Sequence, residues 1–149
     1  MRQNRFMLTA VLLFAAFSFC GCTDHHAEKN PGQSLTAEAD KLAVLWTSGD
    51  PAVAHKVCFM YTHNAKKAGW WNEVHLIVWG PSSKLLAEDK GLQTAVKAMM
   101  ADGVEVLACK ACSDRLGVSA ELEALGVNVF YVGVALTEML KEGWTTLTY

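Results

Sequence analysis

The sequence predicts an α/β domain built on a mostly parallel sheet that helices cover on both faces. Short apolar runs typical of buried strands alternate with longer amphipathic stretches between residues 40 and 149. Residues that favour turns and helix starts separate these runs. Because a strand, a helix and the next strand are joined by a right-handed crossover, successive strands are expected to lie parallel. Roughly 110 residues suit one domain with a single core.

The first predicted strand, Leu42 to Thr47, is a nearly continuous apolar run. A helix follows it, with Asp50 as the N-cap and Pro51 at the first helical position, and ends before Gly69. The buried face of this helix is expected to comprise the apolar residues at helical spacing, namely Val53, Val57, Met60, Tyr61 and Ala65.

The second predicted strand runs from Val74 to Trp79 and ends at Gly80 and Pro81. A helix in two parts is expected after it, from Lys84 to Ala87 and then from Leu92 to Met100. The remaining predicted elements are a third strand (Val104 to Ala108), a short helix (Ala120 to Leu125, capped by Ser119), a fourth strand (Asn128 to Val132), a last helix (Val134 to Lys141) and an edge strand (Trp144 to Tyr149).

Residues 1–22 have the features of a signal peptide with a lipobox-like end. Two arginines precede the apolar stretch 6–19, which is shorter than the about 20 residues of a membrane span. The small residue Gly21 precedes Cys22, which is predicted to carry lipid; ordinary secretion with an unmodified Cys22 is the alternative. Residues 23–39 are polar and are predicted to form a flexible tether. The protein is thus expected at the periplasmic face of a bacterial membrane, held there by a lipid anchor only.

Charge and motifs argue against several classes of function. The formal net charge is −2 and no basic patch is visible, so nucleic acid is not expected as a partner. Neither G-x-G-x-x-G, nor a Walker loop, nor G-x-S-x-G occurs, so nucleotide binding and hydrolase activity lack their motifs. The domain itself holds three cysteines, an odd and small number that argues against a disulfide scaffold: Cys58, Cys109 and Cys112.

Cys109 and Cys112 are the candidate catalytic residues. Cys109 follows the third predicted strand, and Cys112 lies where the next helix is expected to begin. In parallel α/β folds, ligands bind at the carboxyl ends of the strands, where this pair is expected. Lys110 and Arg115 are predicted supporting residues, because nearby positive charge favours the reactive thiolate. His55 is expected at the same end of the sheet, either as a proton donor to a bound sulfur species or simply solvated.

The residues leave four interpretations of the cysteine pair open. A structural zinc site needs four ligands, and the chain has no second C-x-x-C. A thioredoxin-like dithiol has this spacing, although here the pair follows the third strand rather than the first. As a sulfur carrier, Cys109 would hold sulfane sulfur as a persulfide and Cys112 would assist or resolve it. The fourth interpretation is two small side chains that only pack.

Three segments together resemble the DsrE/DsrF family: residues 46–51 (Trp-Thr-Ser-Gly-Asp-Pro), residues 79–82 (Trp-Gly-Pro-Ser) and residues 103–112, with Gly117 eight positions after Cys109. The resemblance covers residues 40–149 and implies a three-layer α/β/α sandwich with a five-stranded parallel sheet. It also implies homo- or hetero-oligomers and a persulfide on the cysteine that Cys109 matches. Cys112 matches a second cysteine that only some relatives have.

The sequence therefore predicts a sulfur carrier at the cell envelope, acting in sulfur transfer rather than as a multiple-turnover enzyme, with no metal or other cofactor. Its expected partners are sulfur donors and acceptors, either proteins or small sulfur compounds, and further copies of itself. Well-studied relatives work in the cytoplasm, so export argues against a role in tRNA thiolation. A small-ligand or metal-binding lipoprotein and a periplasmic dithiol oxidoreductase are the alternatives. Trp70 and Trp71 are expected at a subunit interface or at a membrane-facing surface, and the interface is the preferred interpretation.

Overall fold

The structure is a computed structural model that describes residues 40–149, the range of the predicted α/β domain. The predicted signal peptide, the lipidation site Cys22 and the tether lie outside the described residues. Among the described residues, no helix has the length and apolar character needed to cross a membrane.

Five parallel strands form one sheet in the order β4-β3-β2-β1-β5. The strands are β1 (Lys41–Trp46), β2 (Glu73–Val78), β3 (Glu105–Cys109), β4 (Asn128–Phe130) and β5 (Thr145–Thr148). In the centre of the sheet, Val44 lies opposite Leu76, and Leu76 lies opposite Val106. The predicted parallel sheet is confirmed, and the edge strand predicted at the end of the domain pairs with β1 as β5.

The helices follow the predicted alternation with strands. The first helical stretch consists of α1 (Pro51–Val53), a π-helical segment (Ala54–Cys58) and α2 (Phe59–Lys67). The others are α3 (Pro81–Glu88), α4 (Lys90–Ala101), α5 (Lys110–Leu116), α6 (Ser119–Ala124) and α7 (Val132–Lys141). Asp50 is the N-cap of α1 as predicted, because its carboxylate accepts a 2.7 Å hydrogen bond from the backbone N–H of Ala52.

Alternate residues along each strand pack against opposite helical layers. Side chains such as Leu42 and Leu76 belong to the larger core, which α2, α3, α4 and α6 cover. Ile77 and Leu107 point to the other face, where they pack with Leu136 of α7. Both faces of the sheet are therefore buried, and the three-layer α/β/α architecture is confirmed.

Part of the predicted buried face of the first helix points outward. The helix instead buries Ala54, Cys58, Thr62 and Ala65, which recur at ordinary helical spacing, and the first three each follow a predicted residue by one position. Ala54 and Cys58 are fully buried, whereas Val57 and Met60 are 42% and 52% exposed. The prediction that Val57 and Met60 lie in the core is therefore wrong.

Two further differences lie after β3. Ser119 does not cap α6, because its hydroxyl donates to Asp114 at 2.6 Å and Val118 occupies the N-cap position. The fourth strand ends at Phe130 instead of continuing to Val132. Val132 is the first of the residues that α7 buries at helical spacing, so it belongs to that helix.

Candidate functional site

The end of β3 and the first turn of α5 place Cys109 and Cys112 side by side. Cys109 is the last residue of β3 and the N-cap of α5, and Cys112 is the third residue of that helix. Both are free thiols; Cys109 is 6% exposed and Cys112 is half-buried. The two thiols are close enough to interact, since Cys109 is among the groups that raise the pKa of Cys112. The structure therefore brings the two predicted catalytic residues together as a reduced pair.

Two depressions meet at this pair. The main cleft, of about 710 Å³, lies between the start of α5 and α7, and both cysteines line it. The side pocket, of about 330 Å³, lies between α3 and α5, and Cys112 lines it as well. Arg115 also borders both depressions. Cys112 thus stands between two open surfaces, while Cys109 forms part of the wall of the main cleft.

The surroundings keep Cys112 protonated at neutral pH. Burial raises the pKa of the Cys112 thiol, and its hydrogen bond with Cys109 raises that pKa further. The backbone N–H of Gly80 and the charge of Arg115 lower it, but by less.

A turn after β2 holds the other side of the site. Gly80 has a φ of 79° and a ψ of −134°, a conformation that only glycine adopts readily. The buried hydroxyl of Ser82 fixes this turn, since it donates to the carbonyl of Trp46 and accepts from the backbone N–H of Trp79 at 3.0 Å. Ser82 thereby joins the ends of β1 and β2 to the turn that contacts Cys112.

We expect Ser82→Ala to destabilise the domain by about 1–2 kcal/mol, because a buried carbonyl loses its hydroxyl donor. Ser83→Ala is the matched control. Ser83 is equally buried in α3, but its hydroxyl has no hydrogen-bond partner among residues 40–149, so its removal is expected to be neutral or stabilising. Urea unfolding of both variants measures the difference; equal losses of stability would contradict this role for Ser82.

The three predicted supporting residues occupy different places. Arg115 lines both depressions, and no carboxylate among the described residues forms an ion pair with it. Lys110 is turned to Asp114, whose oxygen lies 3.0 Å from Nζ, and this hydrogen bond raises the pKa of Lys110. His55 lies against Gly91 at the start of α4 and lines neither depression. The structure therefore joins only Arg115 to the cysteine pair.

Several residues of the main cleft were not predicted as site residues. Tyr131 was assigned to the fourth strand, but it lies in the turn before α7 and is 65% exposed. The outer positions of α7 complete the cleft: Val134, Thr137, Glu138 and Lys141. The sequence could have indicated these residues, because they follow the fourth strand. In a parallel sheet, the turn after each strand lies at the same end as the turn after β3.

The third cysteine is separate from this site. Cys58 is fully buried in the larger core, and burial raises the pKa of its thiol to about 12. Within residues 40–149, no group of three or more His, Cys, Asp or Glu side chains is arranged to hold a metal ion. Among the described residues, the cysteines that line an open surface are therefore Cys109 and Cys112.

The fold and the site place the chain in the class of small α/β proteins that carry a thiol pair at the end of the third strand of a parallel sheet. The chain belongs to the DsrE/DsrF-like family, whose family model matches residues 40–149. Among solved structures, it is similar to a conserved protein of unknown function from Bacteroides thetaiotaomicron. The two are 38% identical with a TM-score of 0.71, and the match covers 74% of this chain and 95% of that chain. A search of curated proteins found no match.

Proposed function

We propose that this protein carries sulfane sulfur as a persulfide on Cys109, with Cys112 as the assisting thiol. The observation that carries the proposal is the adjacent pair of free thiols that line an open cleft at the carboxyl end of a parallel sheet. Membership of the DsrE/DsrF-like family supports a sulfur-relay role, with donors and acceptors as partners and a homo-oligomer as the assembly.

The proposed chemistry needs only thiol exchange. In loading, the Cys109 thiolate attacks the outer sulfur of a hydropersulfide R–S–SH; the S–S bond breaks, R–S⁻ leaves and Cys109 keeps the outer sulfur with its proton. In unloading, an acceptor thiolate attacks that outer sulfur and the Cys109 thiolate returns. In the absence of an acceptor, the Cys112 thiolate attacks the inner sulfur, which forms a disulfide with Cys109 and expels HS⁻. A dithiol reductant then restores both thiols.

The residues around the pair fit these steps. Arg115 lies at the mouth of both depressions without a carboxylate partner among the described residues, so it is available to an anionic donor or to the leaving R–S⁻. The main cleft is larger than a single sulfur atom requires, and it leaves room for the organic part of the donor or for an acceptor side chain. Exposed Tyr131 offers an apolar contact to that part.

Intact mass spectrometry of residues 40–149 after treatment with polysulfide tests the proposal. We expect a gain of about one sulfur atom that a thiol reductant reverses, because a persulfide is reduced by thiols. Cys109→Ser should remove the gain, and Cys112→Ser should keep it. Cys58→Ser is the control for the buried cysteine and should load like the wild type.

Other outcomes would support the alternatives. A loss of two hydrogens that needs both cysteines, together with no sulfur gain in Cys112→Ser, would favour a dithiol oxidoreductase, which the contact between Cys112 and Cys109 also permits. An unchanged mass with every donor would contradict sulfur carrying and favour a ligand-binding protein. Loading that survives in Cys109→Ser and disappears in Cys112→Ser would reverse the roles of the two cysteines.

The location is also part of the proposal. We place the domain at the periplasmic face of a bacterial membrane, anchored through lipid on Cys22. Support comes from the apolar stretch 6–19, from Gly21 before Cys22 and from the polar residues 23–39. Fractionation of cells that express the full chain, with Cys22→Ala as the comparison, tests this location.

A further inference from the structure

One corner of the domain exposes large apolar side chains that the sulfur chemistry does not use. Val57, Met60 and Trp70 are 42%, 52% and 57% exposed. Trp70 lies against Tyr61, with 5.9 Å between the ring centroids, and Trp71 donates to the Tyr61 hydroxyl at 3.3 Å. We call Val57, Met60 and Trp70 the α2 patch. Val57 and Met60 face outward because the helix turns Ala54, Cys58, Thr62 and Ala65 to the core instead.

The helical stretch that carries two of the three residues of the α2 patch is basic. The helical stretch 51–67 contains three lysines, two histidines and no acidic residue, in a chain whose formal net charge is −2. Lys56 and Lys67 are exposed and form no ion pair within residues 40–149. The neighbouring carboxylate of Asp102 is paired with His63 at 2.6 Å. The apolar patch is therefore flanked by cations that the described part of the chain leaves unpaired.

The chain enters the domain beside this patch. Asp40, the first described residue, accepts hydrogen bonds from the side chain and backbone of Asn72, two residues after Trp70. Residues 1–39 therefore join the domain next to Trp70, at the end of the sheet where β1 and β2 begin. Cys109 lies where β3 ends, at the opposite end of the sheet.

We infer that the α2 patch docks on an anionic phospholipid surface. Tryptophan at a membrane interface flanked by lysines is a typical combination in proteins that lie on membranes. A second copy of the chain fits less well, because a twofold contact through this patch would bring the lysines of both copies together. Docking in this orientation would keep the main cleft and its cysteines facing away from the membrane.

Binding of residues 40–149 to vesicles tests the inference without any lipid anchor. These residues contain the whole described core, and the similar Bacteroides structure matches this part over 95% of its own length, so the domain is expected to fold alone. We expect binding to mixed phosphatidylethanolamine and phosphatidylglycerol vesicles, weakened by salt, and none to phosphatidylcholine vesicles. Trp70→Ser should weaken binding about tenfold. Lys56→Glu and Lys67→Glu should each weaken it about fivefold or more.

Leu140→Ser is the matched control, since Leu140 is 53% exposed on α7 and lies outside the α2 patch. It should bind vesicles like the wild type, and thermal unfolding should show that all variants remain folded. Equal binding to anionic and neutral vesicles, or unchanged binding of Trp70→Ser, would overturn the inference. If the domain does not bind vesicles but sediments as an oligomer, and Trp70→Ser dissociates that oligomer, the patch is a subunit contact instead. Persulfide loading of the same variants reports separately on the sulfur chemistry.

Discussion

Protein loaded with one sulfane sulfur should release it as sulfide about tenfold faster for each unit of pH, from neutral pH up to the pKa of Cys112. Release without an acceptor requires the Cys112 thiolate, which attacks the inner sulfur of the Cys109 persulfide. Burial, and then the hydrogen bond with Cys109, raise the pKa of Cys112, so only a small fraction is thiolate at neutral pH. That fraction, and with it the rate, grows with pH until Cys112 is ionised.

A sulfide electrode follows this release at a series of pH values, after excess polysulfide has been removed. Cys112→Ser is the comparison, because it keeps Cys109 but has no second thiol, and we expect it to hold its sulfur about a hundredfold longer. The wild type should finish as a disulfide, two hydrogens lighter than the reduced protein. A rate that does not change with pH, or equal release from Cys112→Ser, would show that Cys112 does not resolve the persulfide.

The sequence was sufficient to predict the architecture, because each element has its own local signal. The apolar run before Cys109 forms β3, and Asp50 with Pro51 starts the first helix. Alternation of strands and helices then leaves few possible arrangements, and the parallel order follows from right-handed crossovers. The same rule placed the cysteine pair at the carboxyl end of the sheet, where the structure has it.

What the sequence did not reveal depends on which helix face packs against the sheet and on contacts between distant segments. Val57 and Met60 were assigned to the core because they are apolar, but the helix buries a face that contains the polar Thr62 and the small Ala54. His55 was expected at the same end of the sheet as the cysteines, as a proton donor or simply solvated, and it lies against Gly91 without lining either depression. Tyr131 faces the main cleft only because β4 stops after three residues.

Raising the pH from 8 to 11 should destabilise the domain through Cys58, a residue with no role in the proposed chemistry. Burial raises the pKa of this thiol from 9.0 to about 12, and a hydrogen bond with Thr62 only partly opposes it. The neutral form is the one that the fold accommodates. The resulting stabilisation is fully present below the unfolded pKa of 9.0 and is lost as the pH rises through 12. At pH 11 the loss amounts to about 2–3 kcal/mol.

Comparison of the wild type with Cys58→Ala isolates this effect. The variant lacks the titrating thiol, so its free energy of unfolding should fall less between pH 8 and pH 11, although a small cavity lowers it by about 1 kcal/mol at every pH. Tyr149, whose pKa is raised first by burial and second by the charge of Cys58, is present in both proteins, so only its interaction with Cys58 enters the difference. Urea unfolding at the two pH values gives the four free energies. Parallel losses in both proteins would mean that Cys58 ionises without unfolding the core around it, and that its burial is less complete in solution than in the structure.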